Sequence, residues 1–203
     1  MKSKFPLIII FVGIIILGIG IWQIADVNTQ TSSSLQKAKE IIAEKPVEAQ
    51  EKNPNKGVNI GANKSTNNST HLIVGDIVGI LAIPKIKAEL AIVEGTNPDD
   101  LKKGVGHYKG SYFPKDNGQI VLSGHRDTVF RHLGELKIGD TLEIKMPYGS
   151  FTYTITHTKI VDSKDTSIIT LQHKQEELIL TTCYPFHYIG NAPKRYIIYA
   201  KPK

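Results

Sequence analysis

The chain has 203 residues and carries 25 lysines and arginines against 19 aspartates and glutamates, a formal net charge of +6. These charges are scattered, with no basic run and no interleaved aromatic residues, so the composition excludes the usual footprint of a nucleic-acid-binding protein. The single cysteine, Cys183, excludes an internal disulfide. Its thiol is therefore either a small buried hydrophobe or a reactive group.

A long apolar run near the N-terminus predicts a membrane anchor. Within residues 5–24 the only polar side chain is that of Gln23, and about twenty apolar residues span a bilayer as a helix. Lys2 and Lys4 precede this run, so the positive-inside rule places the N-terminal residues 1–4 in the cytoplasm and everything after residue 25 outside the cell. The run is longer than the core of a signal peptide and no A-x-A cleavage pattern follows it, which favours an uncleaved anchor.

The composition of residues 25–70 predicts a stalk between the anchor and a folded domain. The segment 35–50 is rich in Lys, Glu, Ala and Ile and is compatible with a short amphipathic helix interrupted by Pro46. The segment 53–70 has almost no large apolar residue and cannot bury enough surface to fold. The remaining 133 residues, 71–203, have the size of one domain with one core, and we predict that they form the functional domain.

Short runs of strand-type residues recur along residues 71–203, and turn signals separate several of them. The predicted strands are Ile77–Ile83, Ala88–Val93, Gln119–Ser123, Thr141–Met146, Phe151–Val161, Glu177–Thr182 and Arg195–Ala200. One short helix is predicted between the N-cap Asn97 and Gly104, with Pro98 in its first turn. Many short antiparallel strands with short helices in the loops predict an all-β domain, and a closed β-barrel rather than a sandwich.

Three reactive or charged side chains lie at the ends of predicted strands. Cys183 and His125 each follow a strand-type run, and Arg195 begins another. A thiol, an imidazole and a guanidinium held in one cleft fit a cysteine nucleophile with its proton-transfer partner and a fixed cation. Arg195 has only donors and cannot orient His125, so we expect it to bind a substrate carbonyl and stabilise negative charge. Arg126 is the weaker arginine candidate, because neighbours in an extended segment point to opposite faces.

The residues around these candidates give weaker predictions. Thr182 precedes the cysteine, and we predict a substrate contact through its backbone N–H, although a β-branched residue is also typical of a strand. Asp127 is predicted to cap a turn rather than to hold His125. The other histidines considered lack a site context and are expected to be exposed or hydrogen-bonded: His107, His132, His157, His173 and His187.

Two other uses of the cysteine fit the sequence less well. Cys183 and His187 give a C-x₃-H spacing, but no C-x-x-C or H-x₃-H pair completes a zinc site. In papain-like proteases the cysteine comes early, on a helix, and the histidine follows it. Here His125 precedes Cys183 and both follow strands, so the order argues against that class.

The candidate residues stand in a recognisable order along the chain. Leu180-Thr-Thr-Cys183 is followed twelve residues later by Arg195, and Ser123-Gly-His125 lies upstream. This set resembles the sortases of Gram-positive bacteria, whose cysteine motif is T-L-x-T-C. Ile179 stands here in place of the leading threonine, which does not touch the reacting groups.

Longer runs extend this resemblance over residues 77–200. Gly-His-Arg-Asp-Thr-Val-Phe (124–130) and Thr-Thr-Cys-Tyr-Pro-Phe (181–186), together with the N-terminal anchor, are most similar to class D sortases. The resemblance implies a closed eight-stranded β-barrel that recognises an L-P-x-T-G-like sorting signal at the C-terminus of exported proteins. It also implies cleavage after the threonine through a thioacyl-enzyme, followed by transfer to an amine of the peptidoglycan precursor, lipid II.

Carried over residue by residue, the resemblance implies that Cys183 is the nucleophile, His125 the general acid and base, and Arg195 the clamp for substrate and oxyanion. Some sortases bind calcium through clustered carboxylates. Asp162 and Asp165 are too sparse for such a site, so no metal and no other cofactor is expected. Two alternatives stay open: a cysteine hydrolase that uses the same three residues, and a non-catalytic surface-binding module with an inert thiol.

Overall fold

The computed structural model describes residues 5–44, 73–188 and 190–203. Its helices are α1 (Phe5–Ala43) and α2 (Pro98–Lys103), with short 3₁₀ helices at Pro84–Ile86 and Leu133–Glu135. Its strands are β1 (Ile77–Ile83), β2 (Ala88–Glu94), β3 (Val105–His107), β4 (Gln119–Ser123), β5 (Thr141–Met146), β6 (Gly149–Asp162), β7 (Glu177–Tyr184) and β8 (Lys194–Pro202). The predicted tail over residues 1–4 and the predicted stalk from 45 to 70 lie outside the described residues.

The eight strands close into one barrel in the order β1-β2-β3-β4-β7-β8-β6-β5. Two neighbouring pairs, β2 with β3 and β4 with β7, are parallel, and the other pairs are antiparallel. Closure gives every strand a neighbour on both sides, which removes the exposed edges of an open sheet. The prediction of an all-β domain built as a closed eight-stranded barrel is confirmed.

The alternation of side chains explains how the barrel is filled. Along β5, Leu142, Ile144 and Met146 are buried while the residues between them are partly exposed, as a strand with one face on the core requires. Each such buried side chain contributes roughly 1.5–3 kcal/mol to folding. The largest fully buried side chains of the barrel include Leu81, Ile92, Ile120, Leu122, Tyr153 and Leu178.

β4 and β7 are buried on both faces because the loop 163–176 covers their outer side. Ile179 of β7 packs there against Ile168 of the loop. Gln119, at the start of β4, holds the loop in place: its Nε2 donates to the carbonyl of Ile168 at 3.2 Å, and its Oε1 accepts from the backbone N–H of Thr170 at 2.8 Å. The two strands that lead to the candidate histidine and cysteine are therefore fixed from inside and outside.

All seven predicted strands and the predicted helix after Asn97 are present, with ends within two residues of the predicted ones. The predicted helix is α2, where Asn97 and Asp100 form a reciprocal capping box and the helix ends before Gly104. β3 was not predicted. Its three residues are too few to show a period, and the strand exists through its parallel pairing with β2.

Helix α1 is longer than the sequence predicts. It continues without interruption from the predicted anchor to Ala43, so it includes residues 25–34, where no helix was predicted, and the first part of the segment 35–50, where a short helix was. From Ile9 onward the helix is long and apolar enough to cross a membrane, by length and composition. The predicted domain boundary at residue 71 remains a prediction, but the helix that precedes it does not stand apart from the barrel.

The last turns of α1 pack on the outside of the barrel. The apolar residues that face it, spaced three and four positions apart, are Leu35, Ala38 and Ile42. They lie against Ile80 of β1 and Ala91 of β2, and Ala38 is fully buried. Lys39 Nζ lies 2.7 Å from a carboxylate oxygen of Glu89 at the rim of this contact. The segment that the sequence predicts as an amphipathic helix is thus helical up to Ala43 and buries its apolar face on the barrel.

One buried polar cluster lies at β3. His107 Nδ1 lies 2.6 Å from a carboxylate oxygen of Glu94, and its Nε2 lies 2.9 Å from Ser111 Oγ. The ring also stacks on Phe113 with 4.1 Å between centroids. His107 is thus a hydrogen-bonded core histidine that joins β2 and β3 to the loop after them, as its sequence context predicts.

Candidate active site

The ends of β4, β7 and β8 meet at one edge of the barrel. β4 and β7 are parallel with Ser123 opposite Thr181, and β7 and β8 are antiparallel with Cys183 opposite Arg195. The carboxyl ends of β4 and β7 therefore lie beside the amino end of β8. His125 follows Ser123 by two residues, just as Cys183 follows Thr181. The barrel thus brings together the ends of the three strands that carry the predicted catalytic side chains.

The turn after β4 is shaped to carry His125. The N–H of Gly124 donates to the carbonyl of Thr181 at 3.1 Å, and the carbonyl of His125 accepts from the N–H of Phe130 at 3.0 Å. Phe130 is fully buried and packs so closely on Gly124 that a Cβ there would lie 2.6 Å from its ring. Glycine at this position therefore lets the chain fold back beneath the half-buried histidine.

Thr182 makes a contact that the sequence did not predict. Its side chain is 2% exposed, and its hydroxyl donates to the carbonyl of Gly124 at 2.7 Å. Because side chains alternate along a strand, it points away from the face of Cys183. The hydroxyl therefore ties β7 to the residue before His125 and is not available to a substrate. A substrate contact through the backbone N–H of Thr182 stays a prediction.

Cys183 and Arg195 face each other across β7 and β8. Cys183 is a free thiol and is half-buried. Arg195 Nη1 donates to the carbonyl of Lys194 at 2.9 Å and to that of Ala192 at 3.2 Å. Among the described residues, no acceptor binds its Nε or Nη2, so these N–H groups are left to bind an acceptor from outside the chain.

Arg126 has a structural contact that sequence reasoning missed. Its Nη2 donates to the carbonyl of Tyr188 at 2.6 Å and to that of Gly190 at 2.8 Å, both in the loop between β7 and β8. In the sequence, the only signal for a role of Arg126 is its position directly after His125. Asp127 stays in its own turn, where its carbonyl accepts from Arg131 Nε at 2.9 Å.

Aromatic side chains frame the edge next to Cys183. Phe186 lies with its ring centroid 5.4 Å from that of Tyr196 and 5.8 Å from that of Tyr184. It also fits against Gly134 of the 3₁₀ helix Leu133–Glu135, where a Cβ would come within 2.7 Å of its ring. An apolar wall beside a few polar groups is typical of a groove that binds a ligand.

The loop 163–176 is fixed at its end by Glu176. One carboxylate oxygen accepts from Tyr153 Oη at 2.6 Å, and the other accepts from the backbone N–H of Lys115 at 2.8 Å. Burial raises the pKa of the Tyr153 phenol, and the hydrogen bond with Glu176 raises it further. These bonds join β6, the loop before β4 and the loop before β7.

Within residues 5–44, 73–188 and 190–203, no three His, Cys, Asp or Glu side chains are grouped to hold a metal ion. That a metal plays no part remains a prediction.

Comparisons with known proteins agree with this geometry. A family model described as the sortase domain matches residues 81–203, more than half of the chain. Over 201 residues the chain is 58% identical to sortase D of Bacillus subtilis strain 168. This alignment covers 99% of this chain and 98% of that protein. It is 29% identical to sortase A of Listeria monocytogenes over 111 residues, 53% of this chain and 49% of the relative.

Solved structures share the fold. A Clostridium perfringens sortase D5 transpeptidase superposes with a TM-score of 0.66 at 23% identity, covering 86% of this chain and 99% of that one. The catalytic domain of B. anthracis SrtD gives a TM-score of 0.56 at 40% identity, covering 72% of this chain and 97% of that one. With a matching family model and a relative this similar over nearly its full length, the chain belongs to the sortase family of cysteine transpeptidases.

Proposed function

We propose that this sortase cleaves an L-P-x-T-G-like sorting signal after its threonine and transfers the exported protein to an amine of the peptidoglycan precursor, lipid II. The observation that carries the proposal is the register of β4, β7 and β8. It sets Cys183 opposite Arg195, with the turn that holds His125 alongside. A nucleophile, a proton carrier and a fixed cation at one edge are what acyl transfer through a thioester requires.

In the acylation step, the Cys183 thiolate attacks the carbonyl carbon of the threonine. A C–S bond forms, the carbonyl oxygen becomes an oxyanion, and the scissile C–N bond then breaks. The leaving amine takes its proton from the imidazolium of His125. The products are a thioacyl-enzyme and the released C-terminal peptide.

In the second step, an amine of the acceptor attacks the thioester carbon. A C–N bond forms, the C–S bond breaks, and neutral His125 takes the proton that the attacking amine loses. In both steps, the free N–H groups of Arg195 bind the substrate carbonyl and the oxyanion. Water in place of the amine would give hydrolysis by the same residues.

The apolar part of α1 supports a place at the cell membrane. We propose that residues 5–24 anchor the enzyme, with the N-terminus in the cytoplasm because Lys2 and Lys4 precede the span. The barrel then lies outside the cell, where exported proteins and lipid-linked wall precursors meet.

The proposal is tested with the full chain in detergent micelles, a library of sorting-signal peptides and mass spectrometry, with and without an added amine. We expect an acyl adduct on Cys183, cleavage after threonine, and conversion of the hydrolysed product into an amine adduct. Cys183→Ala should abolish both products, and His125→Ala should be nearly as severe.

Three results would contradict the proposal in different ways. Turnover by Cys183→Ala would remove the thioester mechanism. Cleavage without incorporation of any amine would favour a hydrolase. No cleavage, together with a Cys183 thiol that reacts no faster than a model thiol, would favour a binding module.

A further inference from the structure

Arg126 binds the loop that joins the cysteine strand to the arginine strand. Its Nη2 donates to two backbone carbonyls, those of Tyr188 at 2.6 Å and Gly190 at 2.8 Å. The guanidinium carbon lies 5.9 Å from the centroid of the Tyr188 ring, within the range of a cation–π contact. One side chain thus holds the middle of the segment 185–193, the β7–β8 loop, at two carbonyls and one ring.

The position of Arg126 in the chain makes this contact important for the site. On one side of His125, Gly124 is tied to β7, because its carbonyl accepts from the hydroxyl of Thr182 at 2.7 Å. On the other side, Arg126 is tied to the loop that follows β7. His125 therefore lies between two residues that are hydrogen-bonded to the segment of Cys183: Gly124, which binds Thr182, and Arg126, which binds the loop after β7. These two sets of hydrogen bonds also flank Cys183, and together they fix the histidine turn relative to the cysteine.

The same loop is held at its beginning by packing. Phe186 fits against Gly134, with no room for a Cβ at that glycine. At the other end of the loop, the carbonyl of Ala192 accepts from Arg195 Nη1 at 3.2 Å. The start and the middle of the loop thus contact the segment that follows His125, and the end of the loop contacts Arg195, the predicted oxyanion clamp.

We propose that Arg126 is a positioning residue that holds the β7–β8 loop against the histidine turn, and that this contact sets the substrate-binding position of Arg195. The inference rests on the proposed function, since its effect is seen on a sorting peptide. A charged donor to two carbonyls gives bonds about twice as strong as neutral ones. Without it the loop can move away, taking the carbonyl that supports Arg195 with it. The intrinsic reactivity of Cys183 does not depend on this contact.

The test compares Arg126→Ala and Arg126→Lys with a matched control, Arg131→Ala, in the full chain in detergent. Arg131 is exposed, and within the part of the chain that the structure describes it binds only the carbonyl of Asp127, in its own turn. For Arg126→Ala we expect kcat/KM on a sorting peptide to fall about 100-fold, the scale of a small misplacement in an active site, with most of the loss in KM. Arg126→Lys keeps a charged donor and should restore part of it.

Two further readouts separate positioning from general damage. Hydrogen exchange should rise in peptides from residues 185–193 while β4 and β7 stay protected, and alkylation of Cys183 by iodoacetamide should remain close to that of wild type. The inference is overturned if Arg126→Ala keeps kcat/KM within about threefold of wild type, or if its loop exchanges no faster. It is also overturned if the whole barrel loses protection. If wild type cleaves no sorting peptide, the proposed function fails, and the exchange experiment alone decides whether Arg126 holds the loop.

Discussion

Replacing Thr182 with valine tests whether the tie between β7 and the histidine turn matters for activity. Valine keeps the branched shape and the strand propensity of threonine but removes the hydroxyl that donates to Gly124 at 2.7 Å. The side chain is 2% exposed, so water cannot replace the lost donor. An unsatisfied buried carbonyl costs about 1–3 kcal/mol. For a chain of this size that corresponds to a melting temperature lower by about 2–12 °C.

The effect on activity follows from the position of Gly124 directly before His125. If the turn relaxes by about 1 Å when the bond is lost, the proton-transfer geometry suffers and kcat/KM falls by up to about 100-fold. Cleavage of a sorting peptide is measured well below the melting temperature, with alkylation of Cys183 as a check that the thiol is intact. Thr158→Val on β6 is the matched control, because Thr158 is an exposed strand threonine.

The outcome separates three cases. A loss of both stability and kcat/KM in Thr182→Val, but not in Thr158→Val, supports a tie that positions His125. A loss of stability with unchanged kcat/KM would show that the bond serves only the barrel. If the two variants behave alike, the bond carries neither function and our reasoning about the histidine turn is refuted.

Three other predictions follow from the same structure. Arg195→Lys should fold normally yet lose about 10²–10³ in kcat/KM, because lysine lacks the planar set of donors; a value within about threefold of wild type would exclude the clamp. The pKa of the buried Tyr153 phenol is raised, so above a pH of about 10 the phenol keeps its proton in the folded protein and loses it in the unfolded chain. The unfolding free energy of wild type should therefore fall by up to about 1.4 kcal/mol more per pH unit than that of Tyr153→Phe. Equal slopes of the two proteins, measured by urea unfolding between pH 9 and 11, would contradict this. A protein of residues 26–203 should melt several degrees above one of residues 71–203 in calorimetry, because the shorter chain uncovers Ile80 on the outside of β1; equal melting would mean that α1 adds nothing to the barrel.

Sequence patterns alone determined most of the strands and the identity of the candidate residues. Strand-type runs that end in chemically reactive groups are local features, and their period does not depend on how the chain folds. The positions of Cys183, His125 and Arg195 at strand ends therefore predicted a shared site before any pairing was known. The same holds for the start of α2, where the N-cap Asn97 and the first-turn Pro98 are adjacent in the chain.

The tertiary structure decided what depends on residues far apart in the chain. The bond between Thr182 and Gly124 joins positions 58 residues apart, and Arg126 reaches Tyr188 across 62. No local pattern contains these partners, so Thr182 was expected to touch the substrate and Arg126 was the weaker arginine. β3 exists because β2 offers it backbone partners, and the barrel decides where the amphipathic end of α1 places its apolar face. In each case the deciding partner lies far away in the chain, so no local preference contains it.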